Sequence, residues 1–163
     1  MYPAGMASLP CRAAALALVV ALAPACTDDA GAEALFDQLQ SDDFRNAYGR
    51  APGWEEPRAP RAGGPHGSFV DIYINQVMVD AIQDAIPLTA WPEGSIVVKE
   101  GWATADAVDA EFLVAMKRGR DGWFWAEWRG DGSLVVAGDD APACVKCHDT
   151  GEDQVRAFPL PPL

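Results

Sequence analysis

The spacing of apolar positions changes rhythm along the chain, and each change predicts an element. Between Asp28 and Tyr48, Leu35, Phe36 and Leu39 share one helical face, and Asp28 or Asp29 can cap the first free amides, so a helix and its exit are expected. Residues 49–67 then hold nine Gly or Pro in 19 positions, which no helix or central strand tolerates. A connection that long is either functional or a loose strap. From Ser68 to Ile74 the period shortens to two, with Val70, Ile72 and Ile74 alternating with Phe69, Asp71 and Tyr73, the mark of a strand. Asn75 then caps a helix carrying Val77, Met78, Ala81, Ile82 and Ala85, which Pro87 ends. Past a turn at Trp91–Gly94, strands are expected at Ser95–Glu100, Glu111–Lys117, Trp123–Arg129 and Leu134–Ala137. The fold class is α+β, mainly β: an antiparallel sheet of about five strands with short flanking helices.

The first 25 residues have a different purpose. Arg12 is their only charge, and the apolar run Ala13–Ala23 is too short to span a bilayer but suits the core of a signal peptide. It ends in Leu22-Ala23-Pro24-Ala25-Cys26, which resembles the cleavage box of a bacterial lipoprotein. Residues 1–25 are therefore expected to be removed and Cys26 lipidated, with ordinary secretory cleavage near Ala25 as the alternative. Either route exports residues 26–163 as one domain, and the lipid would tether it to the membrane on the periplasmic side.

Half the residues are hydrophobic, enough for a packed core, and only 22% are charged. Against 12 Lys and Arg stand 24 Asp and Glu, a formal charge of −12. Such a field repels phosphate and excludes nucleic acid as a partner. Four cysteines in 163 residues are too few for a disulfide scaffold, so their positions matter more than their number.

Two of them form Cys144-Val145-Lys146-Cys147-His148, a C-x-x-C-H sequence of the kind that attaches c-type haem. Two thiols about one helical turn apart can reach the two vinyl groups of one porphyrin edge, and the adjacent histidine can then ligate the iron. The competing readings are a redox dithiol, half of a zinc site or a chance match. A zinc site needs four ligands, and His66 is the only other histidine. A thioredoxin-like pair opens a helix after an early strand, whereas this one lies near the C-terminus. The expectation is one covalent haem c, with His148 as the proximal iron ligand.

The position of the motif narrows the class. Only 15 residues follow His148 and none is Met or His, unlike the small electron-transfer cytochromes that take a downstream Met ligand. Four-helix cytochromes also carry the motif late, but residues 68–137 alternate like strands. The sequence resembles the cytochrome P-460 family, which includes the β-sheet type of cytochrome c-prime. The likeness rests on Pro65-His66-Gly67 leading into Phe69–Asn75, on Gly94–Glu100, Met116-Lys117 and Gly122–Trp125, on Cys144–His148, and on the tail Asp153–Phe158.

That resemblance implies a five-stranded sheet, a five-coordinate haem, homodimers and an unassigned redox partner. In catalytic members a strand lysine is bonded to the porphyrin edge, and Lys99 matches it. It is one of three lysines against nine arginines, and by alternation it shares a face with Ser95 and Val97. Solvated, it would be an ordinary strand lysine. Hydroxylamine-oxidising members also place a distal carboxylate on the next strand, where this chain has Val114; Glu111, then Asp109, are the nearest acids. Phe69 and Phe112 are candidates to wall the haem. Met78 and Met116 are candidates for a sixth ligand, and His66 is expected to make a structural hydrogen bond near the haem edge. The expected function is binding or oxidation of small nitrogen species, hydroxylamine or nitric oxide, at an open iron position. The alternative is non-catalytic nitric oxide binding or electron transfer.

Overall fold

The alternating stretch before Asn75 becomes the strand from which the sheet is built. The computed structural model describes residues 25–61, 64–84, 86–139 and 141–162. In chain order the elements are α1 (Ala25–Ser41), α2 (Phe44–Ala47), β1 (Gly49–Arg50), β2 (Ala59–Pro60), β3 (Phe69–Ile74) and α3 (Gln76–Gln83). There follow β4 (Ile96–Trp102), β5 (Phe112–Arg118), β6 (Trp123–Arg129), β7 (Leu134–Gly138) and α4 (Pro142–His148). All strands join one antiparallel sheet in the order β1-β3-β4-β5-β6-β7, with β2 also paired to β3.

The sheet therefore has seven strands where about five were expected. The extra two are two-residue pieces of the Gly/Pro-rich segment, pairing along the outer edge of β3 with Gly49 opposite Ile74 and Ala59 opposite Val70. An edge is where a proline-rich segment can pair, because its missing amide breaks no central ladder. Residues 49–67 are thus a strap fastened to the sheet. Two helices also depart from expectation. The Asp28–Tyr48 region divides into α1 and α2 at Asp43, whose left-handed backbone (φ 49°) is a conformation that short polar side chains tolerate. Asp28 lies inside the first turn of α1, where a carboxylate complements the helix dipole. Helix α3 has the expected cap, Asn75 accepting from the Met78 amide at 3.4 Å, but ends at Gln83, short of Pro87.

Alternation distributes the core over both faces of the sheet. Val70, Ile72, Ile74, Val97, Met116, Trp123 and Trp125 pack with Met78, Val155 and Phe158 on one side. Tyr73, Ile96, Val98, Leu113, Ala126 and Trp128 pack on the other, against Leu35, Leu39 and Phe44 of α1 and α2. Each large side chain fully buried in this way contributes roughly 1.5–3 kcal/mol. The leader expected over residues 1–25 lies outside the described residues except for Ala25, which begins α1, and Cys26 falls in the same first turn. Among the described residues no helix is long and apolar enough to cross a membrane.

Candidate haem site

Helix α4 presents the C-x-x-C-H residues. Pro142 sits in its first turn, where a fixed φ suits the helix and no amide bond is lost. Cys144 and Cys147 are free thiols, one half-buried and one exposed, and a spacing of three puts them on one side of the helix. Burial, reinforced by Glu127 and Cys147, raises the Cys144 pKa and keeps it a thiol. His148 Nδ1 lies 2.8 Å from the Gln154 carbonyl oxygen. A carbonyl only accepts, so Nδ1 carries the proton and Nε2 keeps its lone pair for a metal. Burial is the main effect holding the His148 pKa down, and the neutral ring is the form that ligates. Trp125 meets this ring edge-on, at 4.7 Å between centroids and 67° between planes.

The carbonyl that orients His148 comes from an unusual turn. Asp153 and Gln154 are consecutive residues with left-handed φ values of 45° and 63°. Such a conformation carries a cost in non-glycine residues and persists when surrounding contacts fix it. Here the Asp153 carboxylate accepts from the Trp91 amide at 2.8 Å, and its carbonyl accepts from Trp123 Nε1 at 2.9 Å.

Beside His148 lies a cavity of about 250 Å³. The strap contributes Trp54, Arg61, Pro65 and His66 to its wall, and the tail contributes Val155, Arg156 and Ala157. Two cross-strand rows form the sheet side. In one, Val97, Met116 and Trp125 are successive partners, an apolar row lying against His148. In the other, two residues along, Ile72, Lys99, Val114 and Glu127 are successive partners from β3 to β6. Lys99 and Glu127 are thus two strands apart, roughly 9–10 Å between backbones, with apolar Val114 between them.

Lys99 lines the cavity on the face that alternation assigns it. Burial first, then the Arg61 and Arg156 charges, push its pKa down to about 8, so the amine gains nucleophilic character near neutral pH. Glu111 does not line the cavity. It is exposed before β5, its backbone tied to Gly101 and Gly130, and alternation turns its side of β5 toward Leu113 and Ala115 on the opposite face. Asp109 lines a recess on that same opposite side. The acid on the cavity side of the sheet is Glu127, which does not line the cavity itself but stands opposite Val114 and beside His66. Period two counted from Trp123 and Trp125 points to it, one strand beyond β5.

His66 also lines the cavity, a position the sequence left near the haem edge without a partner. Its Nδ1 is 3.6 Å from Glu127 Oε2, longer than a hydrogen bond. Burial, then the charges of Lys99, Arg61 and His148, push its pKa down to about 4, so at neutral pH the ring is uncharged and the contact is no ion pair. Burial raises the Glu127 pKa. Close backbone contact holds His66 in place: a Cβ on Gly67 (φ 83°) would meet the Trp102 amide nitrogen at 2.6 Å, so only glycine fits. Of the other candidates, Met116 lines the cavity, Met78 is core, and Phe69 and Phe112 do not line it.

The donors present fit a haem. Two thiols and a ring nitrogen are available on α4, the wall is largely apolar, and two of the residues lining the cavity have a buried nitrogen, Arg61 Nη1 and His66 Nδ1, without a hydrogen-bond partner among the described residues. Among the described residues no cluster of three or more His, Cys, Asp or Glu side chains could hold a bare metal ion.

A C-x-x-C-H helix laid over one face of an antiparallel sheet, with a cavity beside its histidine, defines a sheet-based haem-protein site. The family model described as Cytochrome P460 matches residues 42–157, and the chain belongs to that family. Membership implies a haem cofactor with its iron. No curated protein matches the chain.

Proposed function

We propose that this is an exported c-type cytochrome whose single haem is bonded to Cys144 and Cys147 and ligated by His148, and that it oxidises hydroxylamine or a similar small nitrogen species. The iron supplies the redox centre and the position at which such a molecule binds. The observation that carries the catalytic reading is Glu127, a carboxylate on the cavity face of the sheet beside a neutral imidazole. Oxidising an N–H or O–H compound requires a proton acceptor, and burial brings this acid nearer the working pH than an ordinary carboxylate. His66 lines the cavity and its Nδ1 is 3.6 Å from Glu127 Oε2, so a substrate proton passes through the imidazole to the carboxylate, the stronger base of the two. The apolar row of Val97 and Met116 keeps water from competing.

Lys99 suits the porphyrin bond that the resemblance implies, because its amine is buried and the charges acting on it are cationic. Non-catalytic nitric oxide binding is the second reading, favoured by Val114 between the two polar groups. Lipidation of Cys26 would hold the protein at the membrane, and a homodimer is the expected assembly.

An absorption spectrum of the ferrous, haem-matured protein tests the reading. Covalent haem should survive denaturing electrophoresis in the wild type and vanish in Cys144→Ala/Cys147→Ala. A bond to Lys99 should move the ferrous Soret band to the red and lower the intact mass by the hydrogens lost, and Lys99→Arg should restore an ordinary c-type spectrum. An exported wild type without covalent haem would overturn the proposal. Labelled fatty acid should enter the wild type but not Cys26→Ser.

A further inference from the structure

The cavity wall is electrically lopsided. Three cationic side chains, Arg61, Lys99 and Arg156, line it in a chain whose formal charge is −12. Arg61 comes from the strap and Arg156 from the tail beyond α4. Arg61 Nη1 is buried and has no hydrogen-bond partner among the described residues. A buried, unpaired guanidinium nitrogen is costly unless an anion completes it. The basic residues gather around Lys99, and Cys147 and His148 of α4 form another part of the same wall.

A c-type haem is lopsided in the same sense, with vinyl groups for the thiols along one side and two propionate carboxylates at another. We propose that Arg61 and Arg156 are the propionate-binding residues, one carboxylate to each guanidinium, so that the cofactor ties the strap to the tail. The assignment rests on the haem reading above. It also closes the local charge count: if Lys99 is bonded to the porphyrin its amine is neutral, and two guanidinium ions then face two carboxylates. Arg61, half-buried with Nη1 enclosed, can offer two N–H groups in the fork that matches a carboxylate. Arg156 is exposed at the rim, where a propionate can keep part of its hydration.

The test uses the haem-loaded protein with ¹³C in the propionate carboxyls and follows their protonation by infrared spectroscopy. Thioether attachment holds the haem whether or not the propionates are paired, so the variants remain loaded. An adjacent arginine lowers a carboxyl pKa by about 1–3 units. Arg61→Gln and Arg156→Gln should each therefore raise one carboxyl midpoint, by tenfold or more in proton affinity, and the double variant should raise both. Arg61→Lys, which keeps the charge and loses the fork, should shift less than Arg61→Gln. Carboxyl titrations that superpose on the wild type in a loaded double variant would overturn this assignment and leave the haem reading intact. A wild type without covalent haem would overturn both.

Discussion

Lys99 and Glu100 are neighbours in sequence, yet alternation sends them into opposite electrostatic worlds. Behind the sheet, Glu100 is 1% exposed and accepts from Arg45 at 2.6 and 2.8 Å, with the Tyr73 hydroxyl at 3.4 Å. Its cross-strand partner Asp71 is equally enclosed, receiving Arg50, the Arg58 amide and Trp102 Nε1. Burial alone would raise the Asp71 pKa, but these donors and charges outweigh it and hold the carboxyl below its usual range. In front of the sheet, Lys99 meets cations, and among the described residues His66 Nδ1 and Arg61 Nη1 have no hydrogen-bond partner. Both faces bury charge. On the rear the partners belong to the chain itself, and that is structure; on the front they must come from elsewhere, and that is a binding site.

The sharpest way to break this contrast is Glu127→Gln, which removes the front-face base while keeping its shape. Hydroxylamine oxidation should fall about 10²- to 10⁴-fold, with nitric oxide binding to the ferrous protein unchanged. Rapid-mixing kinetics would show it, and unaltered turnover would leave nitric oxide binding as the better reading. On the rear face, Asp71→Ala strands two arginines and an indole N–H, and should cost about 3–5 kcal/mol of stability in urea unfolding. Its Soret band should not move, because it touches no part of the cavity.

His66 gives a pH signature. Its folded pKa of about 4 lies below the ordinary 6.5, so between those values the unfolded chain binds the extra proton. Stability should therefore fall as pH drops from about 6.5 to 4, by roughly 3 kcal/mol at the limit. His66→Gln should flatten that stretch of the unfolding profile. The smallest effect has the opposite sign. In the haem-free Cys144→Ala/Cys147→Ala background, Lys99→Met replaces a buried amine lacking an acidic partner and should stabilise the fold by about 1 kcal/mol. Glu100→Gln in the same background should destabilise it. Loss of stability in both would mean that the two faces do not differ as described.

Much of this was legible in residues. The period-two runs located the five longer strands, and the C-x-x-C-H residues fall on one short helix, α4, because both signals are local. Parity placed Lys99 on the correct face for the same reason. The strap was not legible, since two-residue strands such as Ala59–Pro60 exist only through their partner on β3 and leave no periodicity of their own. Glu127 was legible in principle, but its relation to His66 was not, as 61 positions of chain separate them. The Gln154 carbonyl is harder still: nothing in Asp153-Gln154 announces two left-handed residues whose geometry depends on Trp91 and Trp123.

The row Ile72–Lys99–Val114–Glu127 behaves as a reading frame written in side chains. Deleting one residue within β4 would exchange the destinations of Lys99 and Glu100, driving a carboxylate toward the cavity and an amine into the rear pocket. Length variation in descendants of this sequence should therefore gather in the connection between β4 and β5 and in the strap between its two pairing points. Within the strands, surviving insertions or deletions should come in twos.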